Sequence, residues 1–488
     1  LMMPGPRDFQ TQVNVDQLNL DPNKPTLLVV SDSAAIHSGF AQVVRNVFKN
    51  LWKEREWNIV QYGWWHADPM EKVPWPIITT DRDPGDPRLV NQMDKYGEQS
   101  FENTVSTVKP DMVWIMGDPW MIHPALSNAH SDSYTKILYI PVDGAPTIYG
   151  WKIIEKADVV VPYLPWGEKI MKRWIPDANY EKYIPHGVNT SFYAPIPVTE
   201  RAAYRKQVMS VTDDDIVMIS VSRNQSRKNL PALVEMAYYI RSGDYAVCSK
   251  CGKAYRNPYD YHMGRPTGQK SQCADPKCFN DGNPNMIPGK PNPKFFYYIH
   301  TPVNDLHGHS YKITDMLDVF GVGVEDGKDV TYPGFRWNDN IRPVHGISEV
   351  DLKGIIASSD IFSLATIGEG FGLPILEAMS CGVPVVVPDT SSHPDFVGEG
   401  GGILVPIDYH VCETLSTHYR GYPNLDDYLT SLLLLVNDAG LRKNLGAAAR
   451  ATALKYEWTI IAEQWRTLIN KQMSSTRPAK RWHKLTTV

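Results

Sequence analysis

The chain has 488 residues, 42% of them hydrophobic and 11% aromatic, with a formal net charge of −5. A length of this order divides into two or three domains of about 150 residues each, and the composition excludes both a disordered polyelectrolyte and a chain that is basic throughout. No apolar run approaches the ~20 residues of a membrane-spanning helix, and the opening LMMPGPRDFQ lacks the charged and apolar regions of a secretory signal. Six cysteines, four of them clustered, point to metal binding in a reducing compartment rather than to a disulfide framework. The reading is a soluble, cytoplasmic, multidomain α/β protein.

Residues 1–24 lack periodicity and read as a flexible or draped arm. TLLVVSD, Thr26–Asp32, is a buried strand, followed by the loop SAAIHSGF and an amphipathic helix with apolar Val43, Val44, Val47, Phe48 and Leu51. Gly39 puts flexible backbone at that strand-to-helix turn. WNIVQYG (57–63) reads as the next strand, and the Trp/Pro-rich stretch to Asp86 as a loop. Its tryptophans suit packing across a domain edge or stacking on a sugar or base. DMVWIMGD (111–118) and KILYIPVDG (136–144) are two further buried strands, each running into an aspartate, Asp118 and Asp143. Both acids fall at carboxyl ends of strands, where a parallel sheet presents its ligands. ADVVVP and a helix from about Gly167 continue the alternation.

A second α/β half opens with the strand Ile216–Val221, a basic turn carrying Arg223, Arg227 and Lys228, and a helix from about Leu230. Cations at a strand's carboxyl end suit a departing diphosphate. An insertion at 244–294 holds Cys248, Cys251, Cys273 and Cys278 as C-x2-C and C-x4-C. Two thiolate pairs on short turns fit a structural four-cysteine zinc ribbon, with His262 an alternative ligand. Between Cys248 and Lys294 stand eight Lys/Arg against three Asp, with Tyr255, Tyr259 and Tyr261 interleaved; the tail 471–488 has five cations and no acid. That mixture suits a nucleic-acid surface and equally a solvated lid with a disordered tail. The α/β pattern resumes at FFYYIHTPV (295–303) and VTYPG. It leads to ASSDIFSLATIGEGFGLPILEAMSCGVPVVVPD: strand, glycine-rich loop, helix, strand. In that loop Gly370 and Gly372 let backbone N–H groups approach an anion at a helix N-terminus, with Phe371 and Leu373 beside them. Glu369 and Glu377, eight residues apart, suit sugar hydroxyls on either side of a bound diphosphate. The stretch 425–454 reads as helical, and no D-x-D stands where a catalytic metal would be held; Asp213–Asp215 reads as a turn.

E-G-F-G-L-P-I-L-E-A-M resembles the E-x7-E signature of retaining glycosyltransferases of family 4, whose fold is GT-B. The resemblance covers about residues 26–470 without the insertion. It implies two Rossmann-like doubly wound domains facing a cleft: an acceptor-side domain, 25–197 plus a crossing helix at 457–470, and a donor domain, 198–456. It makes Arg223 and Lys228 the R-x4-K pair on the donor diphosphate, Glu369 the contact to the donor sugar and Glu377 the contact to the ribose. It places Asp143 where the family often has a histidine, and Ser38-Gly39 where it usually has Gly-Gly. His186, in the domain-linking segment YIPHGVNTSFYAP, is assigned a structural role. The expected activity is retaining, metal-independent transfer from a UDP- or GDP-sugar. The acceptor stays open between a hydroxymethylated DNA base or other nucleic acid, DNA or RNA, and a glycan or lipid-linked molecule. A non-catalytic nucleic-acid-binding protein on this scaffold is the reading from another class.

Overall fold

The computed structural model describes residues 18–65, 71–79, 94–147, 150–257, 259–260, 265–266, 268, 272–280, 284–301, 310–326, 329–338, 347–413 and 418–475. The chain divides into two compact units, 1–187 with 456–488, and 188–455.

In the first unit, strands β1 (Thr26–Asp32), β2 (Asn58–Trp64), β3 (Ile77–Thr79), β4 (Met112–Met116), β5 (Thr135–Ile140) and β6 (Val159–Pro162) form one parallel sheet in the order β3-β2-β1-β4-β5-β6. Every residue of β1, β4 and β5 is buried, as strands covered on both faces must be. Helix α1 (Gly39–Glu54) turns Val43, Val44, Val47, Phe48 and Leu51 inward. It is followed by α2 (Phe101–Val108), α3 (His123–Leu126) and α4 (Pro165–Trp174). Leu18 and Leu20 pack against this core, and the Asn58 amide bonds the Asp21 carbonyl at 2.9 Å, so the described end of the amino-terminal arm is draped on the sheet.

The second unit carries α5 (Val198–Gln207), β7 (Ile216–Val221) and α6 (Leu230–Ser242) before the insertion. The insertion supplies β8 (Tyr245–Cys248), β9 (Ala254–Arg256), the pair β10 (Tyr259–Asp260) and β11 (Arg265–Pro266), α7 (Pro276–Asn280) and β12 (Met286–Pro288). Strands β12, β8 and β9 form a small antiparallel sheet. After it come β13 (Phe295–His300), α8 (Ile313–Val319), β14 (Val324–Asp326), β15 (Asp329–Thr331), β16 (Phe335–Trp337) and α9 (Glu349–Ala357). The chain continues through β17 (Ile361–Ser363), α10 (Leu373–Ser380), β18 (Val385–Pro388), α11 (His393–Phe396) and β19 (Gly402–Val405). It ends this unit with β20 (Ile407–Cys412), β21 (Tyr419–Pro423), α12 (Leu425–Asn437) and α13 (Ala439–Ala453). The main sheet is parallel, in the order β16-β13-β7-β17-β18-β19.

Two expectations change. VTYPG supplies no strand of the main sheet: Asp329–Thr331 closes an antiparallel hairpin with β14, Val330 is exposed, and the main-sheet strand is β16 beyond the turn at Gly334. The helical stretch 425–454 breaks at Asp438, whose carboxylate caps α13 by accepting the Leu441 amide at 2.8 Å. The hairpin β20–β21 fills a stretch to which the sequence assigned no element.

The last helix, α14 (Trp458–Ser475), belongs to the first unit. Its Trp465 ring meets Trp114 at 5.3 Å and Tyr139 at 4.7 Å, and the Arg466 Nε donates to Glu56 at 2.8 Å.

Candidate active site

Three loops at the carboxyl ends of β7, β17 and β18 are sewn together. Ile367 donates its amide to the Arg227 carbonyl at 2.9 Å, and the Arg227 guanidinium donates to the Gly368 carbonyl at 2.9 Å. The Ser391 hydroxyl accepts the Glu369 amide at 3.0 Å, and the Ser392 hydroxyl donates to the Phe371 carbonyl at 2.9 Å. Phe371 stacks on Phe396, centroids 5.2 Å apart and ring planes nearly parallel. Ser391 holds φ 49°, a left-handed backbone that short polar residues tolerate best after glycine.

Glu369 stands at the centre, buried. Its carboxylate pairs with Lys228 and, at 3.3 Å, with Arg227. Burial pushes such a carboxyl upward, but the Lys228 and Arg227 charges and the Lys228 bond outweigh it and hold the group well below the usual carboxylate range. In sequence Arg227 is one cation of a basic turn with no role of its own; here it clamps the glycine loop and pairs with Glu369. Arg223 is exposed, two residues past β7. Gly372 caps α10 at φ 100°, a left-handed backbone that favours glycine. Gly370 is half-buried and Leu373 begins the helix.

Glu377 lies in the second turn of α10, buried against the Tyr193 hydroxyl and the Cys381 thiol. Tyr193 is fixed by its carbonyl, which accepts from Ser380 at 2.5 Å and Arg450 at 2.9 Å. The sequence reading missed Tyr193 and also His393. His393 is wholly buried at the carboxyl end of β18, its Nδ1 2.8 Å from the Pro388 carbonyl, within electrostatic reach of Glu369 and Lys228. Burial lowers its pKa and keeps the ring neutral. The only signal available was the position of DTSSHPD just past a buried strand.

In the first unit, Gly39 opens α1 behind Ser38, whose hydroxyl accepts the Ala41 amide at 3.0 Å and donates to Asp32 at 2.6 Å. Ser38 thus serves as the helix cap. Asp118 and Asp143 are half-buried, two and three residues past β4 and β5. His186 is buried, its Nδ1 2.7 Å from the Tyr139 hydroxyl, and burial pushes its pKa down to about 3. Asp213–Asp215 is a turn: the Thr212 amide bonds Asp215 at 2.6 Å, and Arg201 faces Asp213 at 3.5 Å.

The four insertion cysteines converge, all Sγ atoms within 4.8 Å of one another and Cys251–Cys273 at 3.7 Å. All four are free, and a tetrahedral site with Zn–S of ~2.3 Å sets its sulfurs roughly 3.8 Å apart, so this donor set fits zinc. Gly252 at φ 74° follows the first pair on its turn. The insertion is anchored: Lys253 pairs with Asp427 at 2.6 Å, and Arg256 with Asp426 at 2.9 Å and Glu235 at 2.6 Å. Tyr255 is buried and its hydroxyl lies 3.2 Å from the Cys273 thiol. Tyr255, Lys253 and Arg256, three members of the basic, tyrosine-interleaved stretch, here build the mount of the insertion. His262, Tyr261 and the tail beyond residue 475 lie outside the described residues.

Residues 320–413 match the family model described as Glycosyl transferases group 1. O-antigen chain mannosyltransferase B of Escherichia coli is 34% identical over 118 residues, 24% of this chain and 27% of that protein. D-inositol 3-phosphate glycosyltransferase of Corynebacterium jeikeium is 33% identical over 113 residues, 23% of this chain and 24% of that protein. The chain thus spans about a quarter of the length of these curated relatives. Among solved structures, sucrose-phosphate synthase of Thermosynechococcus elongatus superposes with a TM-score of 0.64 at 16% identity, covering 93% of this chain and all of that one. HepE of Anabaena, in complex with UDP-glucose, gives 0.61 at 12% identity, covering 91% and 99%. The fold is GT-B. Among the described residues no helix is long and apolar enough to cross a membrane.

Proposed function

We propose that this protein is a nucleotide-sugar-dependent glycosyltransferase whose donor site is built on the second unit. The observation that carries the reading is the buried Glu369 held between Lys228 and Arg227 beside the glycine-capped start of α10. Carboxylate, two cations and helix N-terminus together offer acceptors for sugar hydroxyls and donors for a diphosphate. In this reading Lys228 and Arg223 stabilise the charge that builds on the leaving nucleoside diphosphate, with amides of Gly370–Leu373 assisting. Glu369 accepts hydroxyls of the sugar, and Glu377, steadied by Tyr193, those of the ribose. Asp143 or Asp118 acts on the acceptor. Retention follows from the resemblance to family 4: the acceptor attacks the face the leaving group departs from, with no protein nucleophile and no catalytic metal. The HepE complex with UDP-glucose and the relative named for mannosyl transfer support a hexose on a nucleotide carrier, UDP or GDP in this reading.

Zinc, in this proposal, occupies Cys248, Cys251, Cys273 and Cys278 and fixes the shape of an insertion with little apolar core of its own. It takes no part in the reaction. The acceptor is a glycan or a lipid-linked sugar; two cations and one ring that suggested nucleic acid are taken up by the insertion's mount.

Hydrolysis of UDP- and GDP-hexoses in the absence of acceptor tests the donor assignment. One donor is expected to turn over, and Glu369→Ala to abolish turnover while the far-UV spectrum is unchanged. A fully active Glu369→Ala enzyme sinks the assignment. Anomeric proton couplings of the released sugar, read before mutarotation, test retention.

A further inference from the structure

At the carboxyl end of the first unit's sheet, three aromatic side chains arrive from three separate segments. Trp65 follows β2, Trp120 follows β4, and Tyr96 lies in the stretch before α2. Trp65 is 40% exposed and Trp120 67%. The Tyr96 ring meets Trp65 edge-on at 5.9 Å, and its hydroxyl lies beside the Trp120 side chain. Trp65 sits at φ 57°, a conformation that a bulky residue keeps only where its surroundings impose it, and such strain concentrates at functional sites.

Two carboxylates border this platform. Asp32, at the end of β1, and Asp118, after β4, both lie within electrostatic reach of the Tyr96 hydroxyl. The same two acids reach Tyr163, which follows β6. Tyr163 is only 3% exposed, and its hydroxyl has no hydrogen-bond partner among the described residues. A buried, unpaired hydroxyl is costly and calls for a missing polar partner.

Each of these features asks for the same kind of ligand. A pyranose has an apolar C–H face, which stacks on exposed indole and phenol rings, and a rim of hydroxyls. Carboxylates only accept hydrogen bonds, so they draw hydroxyl donors. The bases of a nucleic acid would find rings to stack on, but Asp32 and Asp118 repel its phosphates. We propose that Trp65, Tyr96 and Trp120, with Asp32, Asp118 and the Tyr163 hydroxyl, form a binding site for an uncharged pyranoside. Its identification as the acceptor rests on the transferase reading above; the binding site itself does not.

Saturation-transfer NMR tests it on the full chain, with methyl α-D-manno-, gluco- and galactopyranoside as probes and a hydroxymethylcytosine oligonucleotide as the comparison. At least one glycoside is expected to receive saturation, and Trp120→Ala and Asp118→Asn each to weaken that binding about tenfold. Trp120 is a surface ring, so its loss leaves the fold in place, and Trp65→Ala provides a second variant. No saturation of any glycoside overturns the site, as does transfer that all three variants leave unchanged, or binding of the oligonucleotide alone. Titration of UDP and GDP in the same samples separates the two readings. Nucleotide binding that Lys228→Ala abolishes keeps the donor assignment even if the platform fails. Glycoside binding without nucleotide binding does the reverse.

Discussion

Glu369 is buried yet ionised, because two cations stand on it. Removing one of them has a definite sign. Lys228→Ala leaves the carboxylate with Arg227 alone and removes the charge proposed to stabilise the leaving group. Donor turnover is expected to fall by about two to three orders of magnitude, the cost of losing one preorganised charge-stabilising donor, as read by initial rates. His186 gives a pH dependence. Its folded pKa is about 3, against 6.5 for a free imidazole. The unfolded chain therefore takes up a proton below pH 6.5 that the folded chain refuses, and stability contributed by the neutral ring at higher pH is lost as pH falls. Between pH 6.5 and 4.5 this amounts to about 2 kcal/mol, and His186→Asn is expected to flatten the denaturation-midpoint profile by that order. The E-x7-E spacing and the R-x4-K pair made Glu369, Glu377 and Lys228 legible at this scale. Tyr193 and His393 were not, because they come from remote segments that only folding brings beside the glutamates.

At the scale of single elements, α14 ties the end of the chain to the first unit through Trp465 against Trp114 and Tyr139. Truncation of a buried aromatic costs about 3–5 kcal/mol, so Trp465→Ala is expected to lower the urea midpoint of that unit sharply. The insertion makes a complementary case. Cys248→Ser with Cys273→Ser is expected to reduce metal content from one zinc per chain to none by elemental analysis. The loss should also expose the Ala254–Arg256 strand to proteolysis, since its partner strand ends at Cys248. Unchanged metal content would refute the ribbon. The strand TLLVVSD and the helix face at Val43–Leu51 could be read directly, since buried parallel strands and amphipathic helices leave periodic signatures. VTYPG could not: a short apolar run before Pro-Gly reads alike whether it joins a parallel sheet or closes a hairpin.

For the whole molecule, the net charge of −5 and the paired cations of the insertion set the expectation for nucleic acid. Fluorescence anisotropy with duplex and single-stranded oligonucleotides at about 150 mM salt is expected to show no saturable binding tighter than about 100 μM, the weak edge of nonspecific association. Steeply salt-dependent micromolar binding would return nucleic acid as an acceptor.

Local pattern determined the alternation of strands and helices, the glycine loop with its two glutamates, and the four thiols, because each depends on residues close in sequence. Tertiary structure decided which charges are already engaged. It turned Arg227 into a clamp, Lys253 and Arg256 into anchors and Tyr255 into a buried partner of Cys273. It also assembled Trp65, Tyr96 and Trp120 from separate loops. A side chain's role depends on what stands within a few ångströms of it, and partners dozens of residues away along the chain become neighbours only when the sheets have formed.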